Sequence, residues 1–65
     1  MLNLKDKEKQ ILEIIKEKGE LATTKIAFLS ECNSYYAEKY LESLESLGLI
    51  VKRVDKEVTY WNAVN

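Results

Sequence analysis

Residues 33–51, NSYYAEKYLESLESLGLIV, decide how the rest of the chain is arranged. Ala37, Leu41, Leu44 and Gly48 step by four, three and four residues, so they fall on one face of a helix, with Tyr40 and Leu47 at its borders. The opposite face carries Ser34, Tyr35, Glu38, Lys39, Glu42, Ser43, Glu45 and Ser46, polar apart from one ring. That face is the one offered to solvent or to a ligand. Asn33 is suited to cap the first turn with its side-chain oxygen. Gly48 ends the helix, because it enters the left-handed region without a Cβ clash, and Leu49-Ile50-Val51 then begins a strand. The stretch therefore predicts a helix over about 34–47 that runs directly into a hairpin.

Upstream, Asn3 followed by Asp6 has the form of a capping box with Asp in the fourth position, and it predicts a first helix over about 3–18. Leu4, Ile11, Leu12, Ile14 and Ile15 share one arc of that helix, and Gly19 ends it with Lys16 and Lys18 in the last turn. Residues 20–22 are long enough only for a strand stub. Thr23 and Thr24 offer an N-cap for a short helix over about 24–31 that uses Ile26, Ala27 and Leu29. Asn33 and Ser34 then restart the chain as the third helix, which makes a helix-turn-helix unit. Downstream, residues 49–54 and 58–64 read as two strands around Asp55, Lys56 and Glu57, although the turn lacks an Asn-Gly or Asp-Gly pair. The order is helix, stub, helix, helix, strand, strand. The expected fold is α+β and mainly helical, a winged helix-turn-helix with three helices, a C-terminal hairpin wing over about 49–63 and a short first strand. Residues 1–65 are expected to form one domain.

Sixty-five residues bury only about 60% of their extended surface, so stability should be small unless the core is supplemented. One cysteine, Cys32, excludes a disulfide, and without histidine it cannot build a four-ligand zinc site. Dimerisation and dense charge pairing remain. Ten Lys/Arg and eleven Asp/Glu, with no proline or histidine, resemble the usage of proteins from hot environments. No signal-peptide core and no apolar run near eighteen residues is present, so no membrane association is expected and the expected location is the cytoplasm. Residues 34–48 carry one positive and three negative charges, whereas 49–65 carry three positive and two negative. No enzyme is expected, because neither a histidine base nor a nucleophile–base pair nor a glycine-rich phosphate loop can be assembled. No cofactor is expected either.

Beyond this reading of the residues, ILEIIKEKGELATTKIAFLSECNSYYAEKYLESLESLGLIVKR resembles the core pattern of small winged-helix transcriptional regulators of archaea and bacteria. Ile26-Ala27 matches the apolar pair of the second helix, Leu41 with Leu44 the stripe of the third, and Gly48-Leu49-Ile50 the signature that opens the hairpin. The resemblance spans roughly residues 8–62. It implies double-stranded DNA as the ligand, a homodimer, and a third helix in the major groove presenting Ser34, Tyr35, Tyr36, Glu38, Lys39 and Glu42. It likewise implies a wing that offers Lys52, Arg53 and Lys56 to the backbone, and a second helix whose start offers Thr23, Thr24 and Lys25. Glu38 and Glu42 depart from the family pattern, which commonly has Arg, Lys, Ser or Thr there. The only base contact open to them is acceptance from cytosine N4. That acidity is the ground for the alternative reading, a winged helix that docks onto a protein partner in a transcription, replication or sorting assembly. Trp61 and Phe28 are expected in the core, or one of them in a subunit interface with Leu2, Leu4 or Val64. Cys32 is expected as a half-buried hydrophobe near the helix turn, and Lys39 in an ion pair with Glu42 or Glu45 if it contacts no DNA.

Overall fold

The Leu-rich stripe of the third helix lies at the centre of the fold. The computed structural model describes residues 4–64, in the order α1 (Asp6–Lys18), β1 (Leu21–Ala22), α2 (Thr23–Leu29), α3 (Ser34–Ser46), β2 (Ile50–Asp55) and β3 (Val58–Ala63). Ala37, Leu41 and Leu44 are fully buried and face Ile11, Ile15 and Ile26 from the other two helices. Ile50 and Trp61 close this core from the sheet. The strands are antiparallel in the order β1-β3-β2, with Leu21 opposite Trp61, Ala22 opposite Tyr60 and Arg53 opposite Tyr60. Because side chains alternate across a strand, Ile50, Lys52 and Trp61 point to the core side of the sheet, whereas Arg53 and Tyr60 point away from it. This is the winged-helix arrangement.

Several boundaries differ from the sequence expectation for local reasons. Leu2 and Asn3 lie outside the described residues, and α1 begins at Asp6 rather than near residue 3. Lys5 occupies the N-cap position, where its N–H donates to Glu8 Oε1 at 2.9 Å. The carboxylate of Glu8 is buried, yet the Ser43 hydroxyl and the Lys5 N–H hold it below the ordinary carboxylate range. It therefore serves as a cap for α1 and as a polar contact with α3. The second helix ends at Leu29, not at Glu31 or Cys32. Ser30 Oγ donates back to the Ile26 carbonyl at 2.7 Å, Lys7 Nζ donates to the Ser30 carbonyl at 2.7 Å, and Glu31 turns left-handed at φ 58°. Asn33 caps α3 as expected, with the Tyr36 N–H donating to its Oδ1 at 2.9 Å. Gly48 closes α3 at φ 78°.

The wing turn is tighter than the sequence suggests. Asp55 pairs with Val58 and belongs to β2, so only Lys56 and Glu57 remain in the loop, at φ 50° and 69°. A two-residue hairpin with both central residues left-handed is the geometry that favours Asn-Gly, and side chains with a Cβ are strained in it. Glu31→Gly and the pair Lys56→Asn, Glu57→Gly should each raise stability by about 1 kcal/mol, once the greater freedom of glycine in the unfolded chain is subtracted from the relieved strain. In a domain of this size that is a rise of roughly 4–8 °C in Tm, read by circular dichroism. An unchanged or lower Tm would show that side-chain contacts at these turns offset the strain.

Candidate nucleic-acid interface

Three elements meet around the exposed side of α3. Its first turn emerges beside the start of α2, and the wing turn stands opposite, so that a cleft of about 310 Å³ opens between them, lined by Thr23, Thr24, Ser34, Glu38, Glu57 and Thr59 among others. Ser34, Glu38 and Glu42 step by four along one exposed edge of α3. Tyr35 and Lys39 form a second exposed row, with Lys39 Nζ 5.4 Å from the Tyr35 ring centroid. Lys39 thus leans on its own helix through a cation–aromatic contact rather than through the ion pair expected with Glu42 or Glu45. Tyr36 is 54% exposed and meets Tyr35 edge to face at 5.4 Å.

The residues expected to touch a backbone fall into two groups. Thr24, Lys25, Lys52 and Lys56 are exposed. Thr23 and Arg53 are engaged within the protein. Thr23 is the first residue of α2 rather than its N-cap, a position held by Ala22. The Trp61 Nε1–H donates to Thr23 Oγ1 at 2.8 Å, and that hydroxyl in turn lies 3.4 Å from the Thr59 carbonyl it can donate to. Its role is to satisfy a buried indole, which anchors α2 on β3. The Arg53 guanidinium forks onto Glu20, with Nη2 to Oε1 at 2.7 Å and Nε to Oε2 at 3.0 Å. Beside it the Glu20 carboxyl is held below, and the guanidinium above, its ordinary range, mainly by that hydrogen-bonded pairing.

The electrostatics of this side are mixed. Lys25, Lys39, Lys52 and Lys56 are interleaved with Glu31, Glu38, Glu42, Asp55 and Glu57, so no continuous basic stripe forms. Phe28, expected in the core, is instead 76% exposed on α2, with Lys25 Nζ 5.8 Å from its ring centroid. Seven residues of helix have one inner face, and Ile26 and Ala27 fill it. Among the described residues no three His, Cys, Asp or Glu side chains are grouped to hold a metal ion, and no helix is long and apolar enough to cross a membrane.

No family model matches the chain, and no curated protein matches it. Solved structures do. The homodimeric winged helix-turn-helix DNA-binding domain of a possible ArsR-family transcriptional regulator from Mycobacterium bovis superposes with a TM-score of 0.83 at 29% identity, covering 91% of this chain and 54% of that one. Lactococcus lactis ZitR, a zinc-responsive MarR family member, superposes in a DNA-bound variant form with a TM-score of 0.87 at 22% identity, over 100% of this chain and 46% of that one. The Zalpha domain of Carassius auratus PKZ, in complex with Z-DNA, superposes with a TM-score of 0.83 at 16% identity, over 89% of this chain and 92% of that one. These likenesses establish the winged-helix fold, and their bearers are DNA-binding proteins. This chain spans about half the length of the solved Mycobacterium bovis fragment, which itself covers residues 1–100, and about half that of ZitR.

Proposed function

We propose that this chain is a DNA-binding winged helix of a transcriptional regulator, acting in the cytoplasm as a homodimer. The observation that carries the reading is the exposed polar edge of α3 standing beside a lysine-bearing wing, in a fold shared with DNA-bound proteins. In this reading α3 enters the major groove, where Ser34, Tyr35 and Lys39 meet base edges and Glu38 and Glu42 accept from cytosine N4. Tyr36 and the exposed start of α2, Thr24 and Lys25, approach the flanking phosphates. Lys52 and Lys56 carry the wing's attraction for the backbone and supply affinity without sequence information. A two-fold dimer would set its third helices about 34 Å apart, one turn of duplex, which predicts an inverted-repeat site.

The alternative, a winged helix that docks onto a protein, draws on Phe28 and on the carboxylates of α3. One titration separates the two. A labelled random-sequence duplex titrated by fluorescence anisotropy should bind at 50 mM salt and lose about a thousandfold in affinity by 200 mM if six or more phosphates are contacted. Absence of binding at 50 mM salt would overturn the DNA reading in favour of protein docking.

A further inference from the structure

Beyond Ile50, β2 adds nothing to the core. Every residue of β2 from Val51 to Asp55 is exposed, so β2 is held by its ladder to β3, and there the hairpin meets the helical body through Trp61 and Thr59 of β3. One group of side chains ties β2 itself to the body. Glu20 immediately precedes β1, and Arg53 lies on β2 at the other edge of the sheet, so the fork between them spans β3. The guanidinium stacks over Tyr60 at 4.7 Å, and its Nη1 is 3.8 Å from Asp55 Oδ2. Asn62 Nδ2 approaches Glu20 Oε2 at 3.5 Å from the intervening strand. Arg53 is thereby held at its Nε and both terminal nitrogens and on one face of its plane. Its place along the sheet matters as much as its contacts. Tyr60 pairs with Ala22 on one side and Arg53 on the other, and Ala22 is the last residue of β1. The Arg53 row is therefore where the three-stranded sheet ends and the free two-stranded wing begins.

We infer that Arg53 is a positioning residue, a strut that sets the angle of the wing against the helical body through Glu20, and that the wing's phosphate contacts belong to Lys52 and Lys56. Its consequence for affinity rests on the DNA-binding reading above. The bracing itself does not. Arginine suits the task because its planar fork matches a carboxylate in two directions at once, which a lysine cannot do. The pair is exposed, so its hold on the wing corresponds to a population bias of about two- to fivefold. DNA that requires the braced wing should lose affinity by that same factor when the strut is cut.

Three variants, E20Q, R53K and R53Q, with two readouts test the assignment. In free protein, ¹⁵N relaxation at the Lys56 and Glu57 amides should report larger wing motion in all three, against unchanged values in α3. On a random duplex, E20Q and R53K should each weaken binding about two- to fivefold, and R53Q should leave the salt slope where it is. A phosphate-binding Arg53 predicts the reverse: E20Q strengthens binding, R53K is near wild type, and R53Q lowers the slope by about 0.9. Wing amides that stay as rigid in E20Q as in the parent would overturn the strut, whatever happens with DNA. Loosened wing amides in a protein that binds no duplex would overturn the DNA-binding reading alone and support the strut.

Discussion

Replacing Trp61 with alanine should leave most of the chain unfolded at 37 °C. The indole is 2% exposed and sits on β3, the middle strand, where it faces Leu21 on one side and Lys52 on the other and closes the core formed by Ile11, Ile15, Ile26, Leu41 and Leu44. Removing it takes away the largest fully buried side chain and opens a void that three short helices cannot collapse to fill. Losses of about 3–5 kcal/mol are usual for Trp→Ala in a core. A chain of this length has a total stability of roughly 3–10 kcal/mol at the usual 0.05–0.15 kcal/mol per residue, and in the lower half of that range, where so small a core belongs, the loss takes up most of it. Thr23→Val separates packing from the polar contact. It keeps the shape, leaves the Trp61 N–H without its acceptor, and should cost about 1–3 kcal/mol. Urea denaturation followed by circular dichroism measures both. A loss below about 1.5 kcal/mol for Trp61→Ala would mean that the indole lies over the core rather than within it.

The role of Trp61 also marks how far the sequence is legible. Its burial follows from residue type. Its bond to Thr23 does not, because the two are 38 positions apart and nothing periodic links them. The stripe Ala37, Leu41, Leu44, the Asn33 cap and the stop at Gly48 could all be read directly, since each is a local arrangement whose physics lies within a few residues. What lies outside such local arrangements depends on a distant partner, on a tolerated strain or on the length of an element. The pairing of Arg53 with Glu20 joins residues 33 positions apart, and no local pattern announces it. The Lys56–Glu57 turn was hidden because an Asn-Gly pair signals a two-residue loop and a strained pair of charged residues does not. Phe28 has the composition of a core residue on a helix too short to bury it. A signal for Thr23 did exist, in that a threonine directly after a two-residue strand has that strand's sheet beside it. Its partner could still not be named.

Removing the two carboxylates from the exposed edge of α3 should make the protein bind DNA more tightly and choose its site less well. Glu38 and Glu42 lie one turn apart, and Glu38 shares the cleft with Glu57, where a sugar-phosphate strand would pass between α3 and the wing in the proposed complex. A carboxylate about 7 Å from a phosphate in water is repelled by about 0.6 kcal/mol, so the double variant Glu38→Gln, Glu42→Gln should gain about tenfold in affinity for a random duplex. Glutamine has nearly the helix propensity of glutamate, which leaves Tm as a control that should not move. Selectivity should change in the opposite sense. A carboxylate that accepts from cytosine N4 rejects the other bases through unfavourable contacts, whereas an amide also donates and so accommodates adenine. Sites selected by the double variant should therefore lose cytosine at the positions facing α3 while binding rises everywhere else. In the proposed complex the acidic edge would be a filter that lowers attraction to all DNA so that base contacts decide where the protein stays. If α3 instead docks a protein, neither the random-duplex affinity nor the selected sequence will respond to the substitutions, and the same two carboxylates become the first candidates for contacts with a basic partner.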